Sequence, residues 1–210
     1  SAGGAPDRAT DSVSIDGTAL ADSILINAIQ GTVNITGLPA AVTVLGADPT
    51  LDHLHVFAGL GNDVLDASGV FGLKPNATGF YLYGEDGNDR VVGSSGADFL
   101  AGGSGTDTLV GGRGNDTYLN PTGDTISEGA GGGVDTVVSG QTFSLEGIAN
   151  VERLTLSGTK STNGTGNELS NGILGNSGNN ILRGLDGDDT IQAGNGSDTI
   201  NGGDGVDLLV

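Results

Sequence analysis

The chain has 210 residues with 26 Asp and Glu against 7 Lys and Arg, and its formal charge of -19 argues against nucleic acid as a partner. It has 41 glycines, no Trp or Met and 4% aromatic residues, so a thick apolar core is hard to build. The absence of cysteine excludes disulfides and thiolate metal sites, and no apolar run is long enough to predict membrane insertion.

The N-terminal part is read as two regions. Residues 1–10 are predicted to be a flexible tail. Residues 11–57 show apolar alternation at 23–26, 32–35 and 42–45, which is typical of short strands. The segments ADSILI (21–26) and LDHLHV (51–56) keep an Asp-x-apolar spacing, so this degenerate β-strand region is expected to cap or extend the repeats that follow.

The two histidines flank Leu54, and in a strand they would point to the same face. One interpretation of His53 and His55 is a transition-metal site. The other, which we favour, is a pair of ordinary surface histidines.

A period of nine residues organises the next region, 58–119, which is predicted to form a first roll. One copy stands at 58–66 (AGLGNDVLD), and four follow without gaps from residue 84: GEDGNDRVV, GSSGADFLA, GGSGTDTLV and GGRGNDTYL. Between them, KPNATG (74–79) predicts an enlarged turn and FYLY (80–83) a strand.

The remaining chain divides at residue 166. Residues 120–165 are a β-rich spacer in which GDTISE, VDTVVS and VERLTLSG predict strands outside the nine-residue phase. Residues 166–210 are predicted to form a second roll from GNELSNGIL, GNSGNNILR, GLDGDDTIQ, AGNGSDTIN and GGDGVDLLV.

Each conserved place of the repeat has a physical reading. Glycines at the first, second and fourth places are expected to allow positive φ and close approach of backbone carbonyls. The sixth place is Asp, except for Asn171 and Asn180, and the eighth is apolar, which predicts a very short strand with one buried side chain. Such strands are stable only when they stack as a solenoid. The alternative, a disordered linker, is the expected state without calcium.

The repeats GGSGTDTLV, GGRGNDTYL and GGDGVDLLV fit the pattern G-G-x-G-x-D-x-U-x, so the chain resembles the RTX (repeats in toxin, hemolysin-type) calcium-binding family. The resemblance implies an all-β, right-handed parallel β-roll or β-helix solenoid, with two nonapeptides in each turn of 18 residues. It also implies several Ca²⁺ ions between stacked turns, each bound by carbonyl oxygens and two sixth-place carboxylates.

Carried onto this chain, the resemblance implies that Asp89 stacks with Asp107, Asp98 with Asp116, and Asp189 with Asp207. Sites that include Asn171 or Asn180 are expected to bind weakly or stay empty. For Asp63 two positions are open: the opposite edge, or a direct stack on Asp89, which we favour. The implied metal ligands are Asp63, Gly84, Asp86, Gly87, Asp89, Gly93, Ser95, Gly96, Asp98, Gly102, Gly103, Ser104, Gly105, Asp107, Gly111, Gly112, Arg113, Gly114, Asp116, Gly184, Asp186, Gly187, Asp189, Gly194, Gly196, Asp198, Gly203, Gly205 and Asp207.

The function expected from this reading is a noncatalytic, calcium-folded module of a secreted protein. No enzyme is expected, because cysteine is absent and both histidines lie in one strand. The resemblance implies type I secretion from a Gram-negative bacterium and an extracellular or cell-surface location. Two alternatives stay open: a self-assembling structural or adhesive protein, and a carbohydrate-binding module that recognises an extracellular polysaccharide.

Overall fold

The computed structural model describes residues 12–29, 32–38, 42–45, 53–70 and 78–210. Within these ranges the regular structure consists of β-strands, as the sequence predicted, with no α-helix. The described part of the chain therefore offers no helix that could cross a bilayer.

Many strands have only two to four residues, whereas some, such as Ala97–Ser104 and Thr199–Asp204, run on into the first three places of the next repeat. The strands are β1 (Ser12–Thr18), β2 (Ser23–Ile29), β3 (Thr32–Thr36), β4 (Val42–Leu45), β5 (His53–Leu60), β6 (Val64–Gly69), β7 (Thr78–Asp86), β8 (Arg90–Val92), β9 (Ala97–Ser104), β10 (Thr108–Val110), β11 (Thr117–Leu119), β12 (Thr125–Ser127), β13 (Thr136–Ser139), β14 (Phe143–Ser144), β15 (Arg153–Leu156), β16 (Gly164–Thr165), β17 (Gly172–Leu174), β18 (Ile181–Asp186), β19 (Thr190–Gln192), β20 (Thr199–Asp204) and β21 (Leu208–Leu209).

The described strands form three sheets. The ten-stranded sheet has the order β1-β5-β7-β9-β11-β13-β15-β17-β19-β21, and all its neighbours are parallel. The seven-stranded sheet has the order β12-β10-β8-β6-β2-β3-β4, and the four-stranded sheet the order β14-β16-β18-β20. Antiparallel pairing within the described strands occurs only between β2 and β3 and between β3 and β4. This topology is consistent with a β-roll.

The strand register confirms that two nonapeptides make one turn. Eighth-place residues pair with eighth-place residues 18 positions later: Val91 with Leu109, Leu100 with Tyr118, and Ile173 with Ile191. Consecutive repeats therefore alternate between opposite faces of the solenoid, and every second repeat lies directly above its predecessor.

Within the repeats, the core is built mainly from these inward eighth-place residues. Leu65, Val91, Leu100, Leu109 and Tyr118 are all fully buried and belong to one continuous hydrophobic cluster. Their neighbours at the seventh and ninth places are exposed or half-buried, except Val92, in keeping with the two-residue period of a strand. The resulting core is only about one side chain thick on each face, so apolar burial per turn is small.

The segment 120–165 continues the ten-stranded sheet. Within it, Tyr118 pairs with Val137, Val137 with Leu154, and Leu154 with Ile173, so its turns are 19, 17 and 19 residues long. Its predicted strands are present as β12, β13 and β15. On the opposite face the seven-stranded sheet ends at β12 and the four-stranded sheet begins at β14. The division into rolls and spacer as domains stays a prediction.

The N-terminal region also joins the stack. Strand β1 pairs in parallel with β5, and β2 with β6, so the predicted strands extend both faces. The predicted strand at 80–83 is part of β7. Most of the predicted turn at 74–79, the tail at 1–10 and residue Asp52 lie outside the described residues.

Glycine is required at several turns because the backbone is left-handed there. Gly103 has φ +109°, and a Cβ on it would collide with the carbonyl group of Glu85 in the turn below. Gly140, by contrast, has no positive φ, and a Cβ there would meet its nearest atoms at 3.5 Å, an ordinary contact distance.

We therefore expect Gly103→Ala to destabilise the folded chain, because a left-handed conformation costs an L-residue about 1–2 kcal/mol before the collision is counted. Gly140→Ala should change stability by less than about 1 kcal/mol. Urea unfolding of both variants in millimolar calcium measures the difference. Equal midpoints for the two variants would contradict the described turn geometry.

Candidate calcium sites

The residues at the sixth place of the repeats, and their equivalents outside the repeats, stack into three ladders along the edges of the solenoid. The first ladder consists of Asp22, Asp63, Asp89, Asp107 and Asp124, each just before a strand of the seven-stranded sheet. The second consists of Asp98, Asp116, Asp135, Glu152, Asn171, Asp189 and Asp207, each next to a strand of the ten-stranded sheet. The third consists of Thr162, Asn180 and Asp198, just before strands of the four-stranded sheet.

One hydrogen bond repeats along these ladders. The backbone N–H of Asp89 donates to Oδ1 of Asp107 at 2.8 Å, and that of Asp98 donates to Oδ1 of Asp116 at 2.8 Å. In the second block the N–H of Asp189 donates to Oδ1 of Asp207 at 3.1 Å. The three predicted stacking pairs are thus confirmed.

Asp63 takes the favoured position. Its backbone N–H donates to Oδ1 of Asp89 at 2.7 Å, so its loop lies directly on the Asp89 loop. The alternative that placed it on the opposite edge is wrong. The turn from Asp63 to Asp89 therefore has 26 residues, where a turn of two nonapeptides has 18.

The second carboxylate oxygen differs from the first. Six aspartates bury an Oδ2 atom that has no hydrogen-bond partner within the described residues: Asp63, Asp89, Asp107, Asp116, Asp135 and Asp189. Each of these side chains is at most 3% exposed. A buried carboxylate oxygen without a partner is costly, and a hard divalent cation is the ligand that suits it best. The loops thus fit calcium at five places that the repeat predicts and at Asp135, which lies outside the repeats.

The first-place glycines lie beside carboxylate oxygens of the sixth-place residues, but they lack the positive φ that was predicted for them. Positive φ was expected at Gly84, Gly93, Gly102, Gly111 and Gly184, and none of them has it. A Cβ on Gly84 would instead lie 2.5 Å from Oδ2 of Asp89 and from the carbonyl oxygen of Gly102. Glycine is needed there because a side chain would fill the space between the carboxylate and the carbonyls.

The other glycines of the predicted site mostly match the expectation. Left-handed backbone occurs at second-place Gly103, Gly112, Gly194 and Gly203, and at fourth-place Gly87, Gly105, Gly114, Gly187, Gly196 and Gly205. Gly96 is the exception among the predicted fourth-place ligands. The third-place side chains Asp86, Ser104, Arg113 and Asp186 are exposed and Ser95 is half-buried, so these residues would contribute carbonyl oxygens.

Crowded carboxylates perturb one another electrostatically. Burial, together with the charges of Asp107, Asp63 and Asp86, raises the pKa of Asp89 from 3.8 to about 6. Burial also raises the pKa of Asp63 and of Asp189. The folded state therefore binds the proton of Asp89 more tightly than the unfolded chain does. The free energy of unfolding accordingly falls as the pH rises from 3.8 to about 6 and Asp89 ionises. A bound cation would reverse that penalty.

In two loops of the second block the sixth place is asparagine, so the side chain there carries no charge. The Nδ2 amide of Asn180 donates to the carbonyl oxygen of Thr162 at 2.5 Å and to Oδ1 of Asn176 at 3.0 Å. Asn171 likewise donates to Oδ1 of Asn167 at 3.0 Å and to the carbonyl oxygen of Glu152 at 3.3 Å. Here amide hydrogens satisfy carbonyl oxygens, which agrees with the expectation that these sites bind calcium weakly.

Both carboxylate oxygens of Asp98 have hydrogen-bond partners, one in its own loop and one in the previous turn. Its Oδ1 accepts the N–H of Phe80 at 2.6 Å, and its Oδ2 accepts the N–H of Ser94 at 2.6 Å and the Ser94 hydroxyl at 2.9 Å. Ser94 stands where other loops have a left-handed glycine. The Asp98 loop therefore fits an ion less well than its neighbours, although its stacking is as predicted.

Sequence reasoning missed four acidic members of the ladders: Asp22, Asp124, Asp135 and Glu152. The signal was an acidic residue two positions before a buried or half-buried apolar one, as in Asp135-x-Val137 and Glu152-x-Leu154. This spacing was not used to predict ligands in the segments that do not follow the nine-residue repeat. Asp22 had been noted only as part of a degraded copy, and its N–H now donates to Oδ1 of Asp63 at 2.6 Å.

The structure describes the side chain of His55 but not that of His53, so the choice between a transition-metal site and a pair of surface histidines stays a prediction. The His55 ring stacks on Tyr81 with centroids 4.3 Å apart, and Tyr81 stacks on Phe99 at 4.6 Å. His55 thus belongs to a stack of rings on the outer face of the ten-stranded sheet. The side chain of His53 lies outside the described residues.

Comparison with known proteins agrees with this geometry. A search of curated proteins found no match. The family model described as RTX calcium-binding nonapeptide repeat (4 copies) matches residues 83–118 and 174–209. The first match covers the loops of Asp89 to Asp116, and the second covers those of Asn180 to Asp207. The chain therefore carries the RTX calcium-binding nonapeptide repeat in two separate blocks.

Proposed function

We propose that the chain is a noncatalytic module that binds several calcium ions and needs them to fold, within a protein that is secreted to the cell surface or medium. One observation carries the proposal. Six stacked loops each bury a carboxylate oxygen without a hydrogen-bond partner among the described residues. In four of them, those of Asp89, Asp107, Asp116 and Asp189, a glycine leaves room for an ion beside that oxygen.

Energetics favour dependence on the ion. The chain has a formal charge of -19, and seven of its aspartates are buried in the described loops. A site held at 100 times its dissociation constant adds about 2.7 kcal/mol to the folded state. Several such sites together match the stability of an ordinary domain, about 5–15 kcal/mol. Calcium suits oxygen-lined loops of flexible geometry better than magnesium, which holds its water tightly.

The same dependence suits export. A chain that stays unfolded at cytosolic calcium and folds at millimolar extracellular calcium can be secreted before it folds. A noncatalytic role is supported by composition, because the chain has no cysteine and its two histidines, His53 and His55, both lie in β5.

Two substitutions at the same place of the repeat test the proposal. Asp107→Asn removes charge from an oxygen that is buried without a partner between Asp89 and Asp124. Asp198→Asn makes the identical change where the stacked neighbour is Asn180, whose amide is already bonded. Isothermal titration of the calcium-stripped chain should show at least one ion bound about 10- to 100-fold more weakly in Asp107→Asn. Asp198→Asn should titrate like the wild type.

Two outcomes would count against this account. A wild-type chain that binds no calcium would refute the proposed function. Equal loss of affinity in both variants would keep calcium binding but contradict the assignment of sites to the loops with unpartnered oxygens.

A further inference from the structure

The loop at residues 128–135 lies outside the nonapeptide repeats, yet it stacks on the last repeat of the first block. The N–H of Gly114 donates to the carbonyl oxygen of Gly132 at 2.8 Å, and the N–H of Asp116 donates to Oδ1 of Asp135 at 2.8 Å. The N–H of Val134 donates to Oδ1 of Asn115 at 2.9 Å. This loop therefore covers the last repeat as another repeat would.

Three carboxylates meet between the two loops. Ligand atoms of Asp116, Glu128 and Asp135 all lie within 4.8 Å of one another. Asp116 and Asp135 are each 1% exposed, and the Oδ2 atom of each has no hydrogen-bond partner within the described residues. The cluster is thus a set of hard oxygen donors, two buried and one, Glu128, half-buried, and it differs from an ordinary solvated acidic patch.

Glu128 is held in place by the repeat that it covers. Its Oε1 accepts a short hydrogen bond from the Tyr118 hydroxyl, and its Oε2 accepts the N–H of Gly112 at 3.4 Å. The Tyr118 oxygen in turn accepts the N–H of Gly111 at 2.8 Å, and the Tyr118 side chain is fully buried. The tyrosine at the eighth place of the last repeat thus orients a carboxylate that no repeat supplies.

The electrostatics of the cluster oppose its ionised form. Burial, reinforced by the charges of Asp98, Glu128 and Asp135, raises the pKa of Asp116 to about 9. Burial also raises the pKa of Glu128 to about 7. Divalent cations with oxygen ligands are the usual means by which proteins keep several carboxylates together.

We propose that Asp116, Glu128 and Asp135 bind a further calcium ion, which joins the first repeat block to segment 120–165. The inference rests on the proposed function, because it extends calcium binding to a site with two ligands from outside the matched repeats. Its consequence is structural: the ion ties the end of the first block to strand β13, through which the ten-stranded sheet continues.

The test compares Glu128→Gln with Glu146→Gln in the full chain. The first variant removes one negative charge but keeps the shape of Glu128 and an oxygen that accepts from Tyr118. The second removes a charge from an exposed glutamate in the same segment. Calcium titration should show one ion bound at least about 10-fold more weakly in Glu128→Gln, and no change in Glu146→Gln.

Terbium luminescence gives an independent readout, because the chain has no Trp and only three tyrosines. In a Tyr81→Phe, Tyr83→Phe background, Tyr118 is the sole tyrosine, and its hydroxyl is bonded to the proposed ligand Glu128. Terbium bound beside it should emit on tyrosine excitation. Adding Glu128→Gln should remove most of this emission, and adding Glu146→Gln should leave it.

The outcomes separate the two proposals. A wild-type chain that binds neither ion overturns both. Wild-type binding that is identical in Glu128→Gln and Glu146→Gln, with equal terbium emission, overturns this inference alone. Circular dichroism of each variant in calcium shows whether it is folded, and if Glu128→Gln does not fold, Glu128→Asp replaces it with the same expected loss of emission.

Discussion

The structure depends on one repeated contact between a backbone N–H and the carboxylate one turn further along. The N–H of Asp89 bonds Oδ1 of Asp107, and the same bond recurs on both faces of the solenoid. This contact sets the stacking register, but it also buries a charged group and leaves its second oxygen without a partner. Burying a charge in this way is costly, and the proposed function assigns the compensation of that cost to a cation between the loops.

Two kinds of turn result from this constraint. In the first kind, of which the Asp107 loop is an example, a buried carboxylate oxygen has no hydrogen-bond partner among the described residues. Where Asn occupies the second and sixth places, as at Asn176 and Asn180, amide hydrogens satisfy the carbonyl oxygens that surround them. The solenoid thus combines turns that leave a buried carboxylate oxygen without a partner with turns closed by neutral hydrogen bonds, and the neutral ones lie together at the start of the second block.

The sequence predicted the repeating part of this fold well. The nine-residue phase fixed which side chains face inward and which aspartates stack, because strand alternation and an 18-residue turn leave little freedom. It did not predict that the sheet continues through residues 120–165, where turn length varies between 17 and 19 residues. The role of Glu128 could not be predicted either, because its position depends on the path of an irregular loop and on a hydrogen bond from Tyr118.

Thermal melting followed by circular dichroism in calcium, magnesium and EGTA tests the central claim most directly. We predict a cooperative melt of a β-rich spectrum in millimolar calcium, an unfolded spectrum in EGTA, and no recovery with equal magnesium. The same β-rich spectrum and melting temperature in EGTA as in calcium would show that the stacked carboxylates need no cation.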